Sequence, residues 1–227
     1  MYKYVLVLLG ALVIGAITYV LIGHSRQLSG RLLPPKMPAV VDANMDAILA
    51  SLERELKQQR PDFDTVARPG ITPQELQQAT AAFSTTVHPD MQRLYQWHNG
   101  LTDDAELFPG HTFWSLEEAL QTNKELTADY AQSGFSELMA EEATWLTLFP
   151  DGAGDGYYYD PKYDYASGGV FYNFREIGYY MRFPSIKNLL MAIVECYQAG
   201  VYRGDTVLDY KAEQQIMQKY GLEVPAP

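Results

Sequence analysis

The chain has 227 residues, 47% of them hydrophobic and 13% aromatic, with 17 tyrosines, enough apolar material for one domain with a real core. Its formal net charge of −11 argues against a basic groove for nucleic acid, because an acidic surface repels phosphate backbones and, for the same reason, anionic lipid. A single cysteine, Cys196, excludes an internal disulfide and a multi-cysteine zinc site.

Val5 to Ile22 (VLVLLGALVIGAITYVLI) is an unbroken apolar run without a charge, close to the ~20 residues that a helix needs to cross a bilayer. A cleaved signal peptide has a shorter apolar core, ~7–15 residues, ending at a small-x-small site. Here the run continues into Ile22-Gly23-His24-Ser25-Arg26-Gln27, which offers no such site, and no cysteine follows for a lipid anchor. Residues 1–31 therefore read as an uncleaved, single-pass membrane anchor. Lys3 and the terminal amine precede the run, while Arg26, Arg31 and Lys36 follow it, which places the C-terminal domain on the cytoplasmic side. Leu32 to Val40 (LLPPKMPAV) carries three prolines, and residues 32–41 read as an extended spacer.

The domain proper is expected over 42–227. From Asp42, Met45, Ile48, Leu49, Leu52 and Leu56 recur at helix spacing, with Glu53, Arg54, Glu55 and Lys57 on the wet face. Ile71-Thr72-Pro73-Gln74-Glu75-Leu76 predicts a capped helix start: Thr72 and Glu75 form a capping box, Pro73 sits at the first helical position, and Ile71 and Leu76 make a hydrophobic staple, with the helix running to about Phe83. Pro89 opens a short helix with Met91, Leu94, Tyr95 and His98 on one face, which Gly100 is expected to close. Thr112-Phe113-Trp114 reads as a strand, and Ser115 with Glu118 as a second capping box for a helix from Leu116 to about Tyr130. Thr144–Phe149, Tyr157–Tyr159, Val170–Phe174 and Tyr179–Phe183 are β-prone runs of an antiparallel meander with a long hairpin tip over 161–169. Pro184-Ser185 caps an amphipathic helix with Ile186, Leu189, Leu190, Ile193, Val194 and Tyr197 as its stripe, stopped by Gly200, and Asp209–Tyr220 is a last polar helix. This order predicts an α+β domain, with a central, mainly antiparallel sheet flanked by helices, behind one N-terminal transmembrane helix.

No catalytic constellation stands out. In Asp151–Gly156 (DGAGDG), Asp151, Asp155 and Gly156 fit positions 1, 5 and 6 of a calcium loop, but Ala153 and Lys162 stand at positions 3 and 12, and two oxygen ligands are missing. A tight turn, with Gly supplying positive φ and Asp capping the backbone, competes with a polar binding loop. Trp97-His98-Asn99 closes a short helix without a Ser or Cys nucleophile nearby; His24, His88 and His111 lack zinc spacing, and Cys196 falls in a core helix as an inert thiol. No cofactor and no metal are expected. The wealth of tyrosine in the meander exceeds what one sheet face buries, which leaves several for a protein interface.

Ile71–Phe83 followed by Pro89-Asp90-Met91-Gln92-Arg93-Leu94-Tyr95-Gln96-Trp97-His98-Asn99-Gly100 resembles the opening of the SUKH superfamily, which includes a fungal cell-wall assembly regulator and many bacterial toxin-immunity proteins. Leu107–Ala119, with its Ser115-Leu116-Glu117-Glu118-Ala119, is similar to the next strand and helix. Trp145–Phe149 with Asp151–Asp155 is similar to the strand and turn that follow, except that Thr147 replaces a usual proline, and Pro184–Tyr197 is similar to the closing helix. The resemblance covers about residues 71–197 within a domain core of 71–200. It implies an α+β domain that binds rather than catalyses, takes no cofactor, and serves toxin immunity or, alternatively, cell-envelope assembly. The reading is thus a membrane-anchored, non-catalytic protein-binding domain whose partner could be a basic toxin. Its expected contact residues are Trp97, His98, Asn99, Asp151, Asp155, Tyr163 and Tyr165.

Overall fold

The computed structural model describes residues 37–81, 87–102, 105–133, 145–161, 168–174 and 178–222. The expected membrane span over 5–22 and the hairpin residues Tyr163 and Tyr165 lie outside them. No helix among the described residues is long and apolar enough to cross a membrane. Residues Pro38–Pro227 group as one unit, a mixed α+β fold with antiparallel sheets.

The first helix, α1 (Met45–Gln59), starts three residues after Asp42 because Asn44 is the cap: its side chain accepts the Asp46 N–H at 2.8 Å. Met45, Ile48, Leu49, Leu52 and Leu56 are buried, the stripe that the periodicity predicts. A four-residue turn of helix, α2 (Phe63–Val66), and a three-residue strand, β1 (Ala67–Pro69), then fill the polar stretch. Helix α3 (Pro73–Thr80) carries the expected capping box, with Thr72 N–H on Glu75 at 2.7 Å and Glu75 N–H on Thr72 at 3.2 Å. The next helix, α4 (Pro89–Trp97), buries Met91, Leu94 and Tyr95.

The end of α4 differs from expectation. Gly100 does not cap the helix; His98 does, and the chain turns directly into β2 (His98–Leu101), which pairs antiparallel with β1. Gly100 is instead required by a close approach. Its φ is +82°, and a Cβ there would stand 2.5 Å from the Ser115 nitrogen. The chain continues through a small hairpin, β3 (Glu106–Phe108) and β4 (His111–Thr112), rather than a strand over 112–114. Helix α5 (Leu116–Ser133) follows, opened by the Ser115/Glu118 box at 2.8 and 3.1 Å.

Four strands, β5 (Leu146–Pro150), β6 (Gly156–Asp160), β7 (Gly169–Phe174) and β8 (Gly178–Phe183), form the antiparallel meander in sequence order. In register, Leu146, Tyr159, Val170 and Phe183 line up across it, all buried on the core side. Among the aromatics of β6 and β7 whose side chains are described, Tyr157, Tyr158, Tyr159, Phe171 and Tyr172, none is exposed; the other tyrosines expected to serve an interface, Tyr163, Tyr165, Tyr179 and Tyr180, are not among them. Tyr157 and Tyr159 point into the core, and Trp145 stacks on Phe171 at 4.7 Å, so that aromatic contacts use more than one face.

Helix α6 (Ile186–Gln198) packs on this sheet and also meets α1 and α4. Its burial therefore extends around the helix to Ala192 and Cys196. It ends in a Schellman turn at Gly200: Val201 N–H bonds the Cys196 carbonyl at 2.9 Å and Gly200 N–H the Tyr197 carbonyl at 3.0 Å. A hairpin, β9 (Tyr202–Arg203) and β10 (Thr206–Val207), leads to α7 (Tyr210–Tyr220), capped by Asp209 and packed on α6.

Candidate functional site

Trp97 is the last residue of α4, and the packing of α1 beside α4 decides its surroundings. Its indole N–H donates to Glu53 at 3.0 Å, and its ring stacks on Phe63 at 6.2 Å and meets the His98 ring edge-on at 4.4 Å. The indole is half-buried and bounds a surface cleft of about 230 Å³ that runs between the two helices. Asp46, Leu49 and Glu53 of α1 form one wall, and Arg93 and Gln96 stand beside Trp97 on the other. The Lys57 ammonium, 2.9 Å from Glu53, and then the Trp97 N–H hold the Glu53 carboxyl below the usual range, so it is ionised at neutral pH. Lys57 reaches Asp64 as well, at 2.8 Å, and its own pKa is raised, first by Asp64 and then by Glu53. Arg93 spans the cleft to Asp46, with Nε at 2.9 Å, and donates to Gln96 at 3.0 Å. This is an exposed ion pair, which another charge displaces at little cost.

His98 and Asn99 are used by the fold. The His98 Nδ1 lies 2.9 Å from the Arg68 carbonyl, which can only accept, so Nδ1 carries the proton and ties β2 to β1. The other ring nitrogen is enclosed without a hydrogen-bond partner, and the ring stands edge-on to Phe63 at 5.5 Å. Asn99 accepts the Leu116 N–H at 2.9 Å and donates to Glu117 at 2.8 Å, which completes the start of α5. Glu118 takes Arg68 in a two-pronged pair at 2.9 and 3.1 Å, so the root of β2, β1 and the first turn of α5 form one clamp.

The Asp151–Gly156 loop behaves as the turn reading predicts. Asp151 accepts the N–H groups of Ala153 at 2.9 Å and Asp155 at 2.8 Å, and its own N–H bonds the Asp155 carbonyl at 2.9 Å. Asp151 and Asp155 thus close the β5–β6 hairpin. Among the described residues, no group of three His, Cys, Asp or Glu side chains is placed to hold a metal ion. Cys196 is buried, and burial pushes its thiol up to about 12, which keeps it protonated and unreactive at neutral pH.

Of the residues singled out in the sequence, Trp97 faces a cleft, whereas His98, Asn99 and Asp151 hold the backbone. The sequence missed the companions of Trp97. Glu53 read there as part of the wet face of one helix, and only the packing of α1 on α4 joins it, Asp46 and Arg93 to the indole.

A protein-family model, SMI1 / KNR4 family (SUKH-1), matches residues 70–191, more than half of the chain. The match runs from just before α3 into the middle of α6 and leaves α1 and α7 outside. No curated protein matches the chain.

Proposed function

The chain belongs to the SMI1 / KNR4 family (SUKH-1), and from that premise we propose that it is a non-catalytic recognition module that binds and inhibits a partner protein, as an immunity protein binds a toxin. In this proposal residues 5–22 hold it at a membrane, with the domain on the cytoplasmic side. The observation that carries the reading is the Trp97 cleft. At about 230 Å³ it is smaller than the ~300–1,000 Å³ of typical small-molecule pockets and suits single side chains of a protein partner. A half-buried indole of fixed orientation is the kind of residue on which interface energy concentrates. Asp46 and Glu53 beside it, on a chain of net charge −11, favour a basic partner.

The test is capture of the partner by tagged full-length chain from detergent-solubilised cells, compared with Trp97→Ala and Glu53→Gln. Loss of the indole lowers partner recovery about tenfold or more, as for a central anchor, and Glu53→Gln lowers it less. Recovery equal to wild type with both variants counts against this surface.

A second reading, a component of cell-envelope assembly, draws on the apolar run 5–22 and the proline-rich spacer, neither of which the matched family region 70–191 includes. Deleting residues 1–31 separates the two. An inhibitor still neutralises its target from the cytosol, whereas an envelope component loses its role.

A further inference from the structure

We infer that the Trp97 cleft is an arginine site: one arginine side chain of the partner enters it and displaces Arg93, which holds the guanidinium position in the free chain. The inference deepens the recognition reading above and rests on it. Arg93 shows what the site accepts. Its Nε, at 2.9 Å, and its Nη2 both donate to Asp46, and its Nη1 donates to Gln96 at 3.0 Å, so all three guanidinium nitrogens are engaged. A planar fork of donors meets these acceptors together, whereas the ammonium of a lysine is a compact point charge. Asp46 and Glu53 stand two turns apart on α1, about 10 Å along its axis, with Leu49 between them and the Trp97 indole on the facing wall. The alkyl stem of an entering arginine has this apolar surface to lie on, and its guanidinium has the Asp46 carboxylate.

The exchange takes place at the Asp46 end of the cleft. At the other end Glu53 is already committed, to the Trp97 N–H at 3.0 Å and to Lys57 at 2.9 Å. Arg93 is held less firmly. Both of its contacts to Asp46 fall on one oxygen, Oδ1, rather than on the two oxygens of the paired fork that makes arginine–carboxylate contacts strong. The two side chains are 51% and 58% exposed, so water screens the pair and its loss costs little. A partner's guanidinium that takes both Asp46 oxygens therefore replaces a weak pair by a stronger one. Arg93 acts as an internal competitor, which a second guanidinium displaces and a lysine or a diffuse positive charge displaces poorly. Asp46 and Glu53 lie on α1, outside the matched residues 70–191, while Arg93 and Trp97 lie inside them, so the matched region alone does not make this site.

Nuclear magnetic resonance of the full-length chain in detergent micelles, with isotope-labelled tryptophan, tests the inference. The probe is N-acetyl-arginine methylamide, the control is its lysine counterpart, and the readout is the Trp97 indole N–H signal. The chain has three tryptophans, so the signals of the other two report an intact fold in each variant. Wild type gives a saturable shift of the Trp97 signal at millimolar arginine probe, and the lysine probe binds about fivefold or more weakly. Arg93→Ala, which removes the competitor, tightens the arginine probe about two- to fivefold, the worth of an exposed ion pair. Asp46→Asn weakens it at least about fivefold. Four results overturn the inference: equal affinity for the two probes, no saturable shift up to about 50 mM, an Arg93→Ala variant that binds the arginine probe as wild type does, or an Asp46→Asn variant that does so. Failure of the cleft itself is read separately, in the partner capture with Trp97→Ala, which uses no probe. A partner lost with Trp97→Ala beside an arginine probe without effect leaves recognition standing and removes the arginine site alone.

Discussion

The His111 imidazole lies almost parallel to the Phe108 ring, with centroids 4.6 Å apart, and close to Tyr157 at 5.1 Å; its Nδ1 stands 2.9 Å from the Pro109 carbonyl and its Nε2 is enclosed without a partner. Burial pushes its pKa below the ordinary 6.5, against a smaller opposing pull from the Pro109 carbonyl and then Asp151. The unfolded chain therefore takes up a proton at this residue before the folded one does. The stability that this residue contributes is fully present above about pH 6.5 and is lost as pH falls through the lowered folded pKa. Urea unfolding at pH 7 and pH 5 checks this: His111→Phe keeps a ring in the stack and flattens the fall in midpoint seen for wild type over that interval. Other residues show why single positions are hard to judge from sequence. Asn188 looks like a polar interruption of an apolar stripe, yet it is buried. Its amide oxygen accepts from Ser185 and Val41 at 2.7 and 3.1 Å, and its nitrogen donates to Ala39 and Tyr220 at 3.0 Å each. It thus joins the residues before α1, the start of α6 and the end of α7. Nothing local announces this, because three of its four partners lie at least 32 positions away.

Helices with strong local chemistry were legible. The caps at Thr72, Ser115 and Ser185 lie within three residues of the groups that they satisfy. The four meander strands were legible as well, since alternation and turn residues are local properties. What escaped the sequence is short or defined by contact. Ala67-Arg68-Pro69 is too brief to show alternation and becomes β1 only because Leu101 and His98 pair with it, and Gly100 read as a helix stop when the constraint on it is the backbone of Trp114 and Ser115. Helix α1 makes the same point from the energetic side. It lies outside the matched family region, yet Leu52 and Leu56 are fully buried and the helix packs on α6 and α4. Leu52→Ala removes a buried side chain from the centre of this contact and lowers unfolding free energy by about 3 kcal/mol, measured by chemical denaturation. A loss below about 1 kcal/mol would mean that α1 is an ornament to the core rather than part of it.

At the scale of the whole molecule, the proposed recognition role draws on the chain's charge and on the Trp97 cleft. The whole chain has a net charge of −11, and the conspicuous polar motifs of its fold, Asn99 and the Asp151 turn, are used in holding backbone. What faces solvent at the Trp97 cleft is an oriented indole between carboxylates and a displaceable arginine, an arrangement suited to grip a side chain. The membrane tether proposed for residues 5–22 would restrict where such a module meets its partner. The most direct measurement is calorimetric titration of the full-length chain with the captured partner, followed by the intact mass of that partner. Recognition predicts saturation at one partner per chain, an affinity reduced about tenfold or more by Trp97→Ala, and a partner of unchanged mass. A partner chemically altered by substoichiometric amounts of the chain, or heat that never saturates, would contradict it.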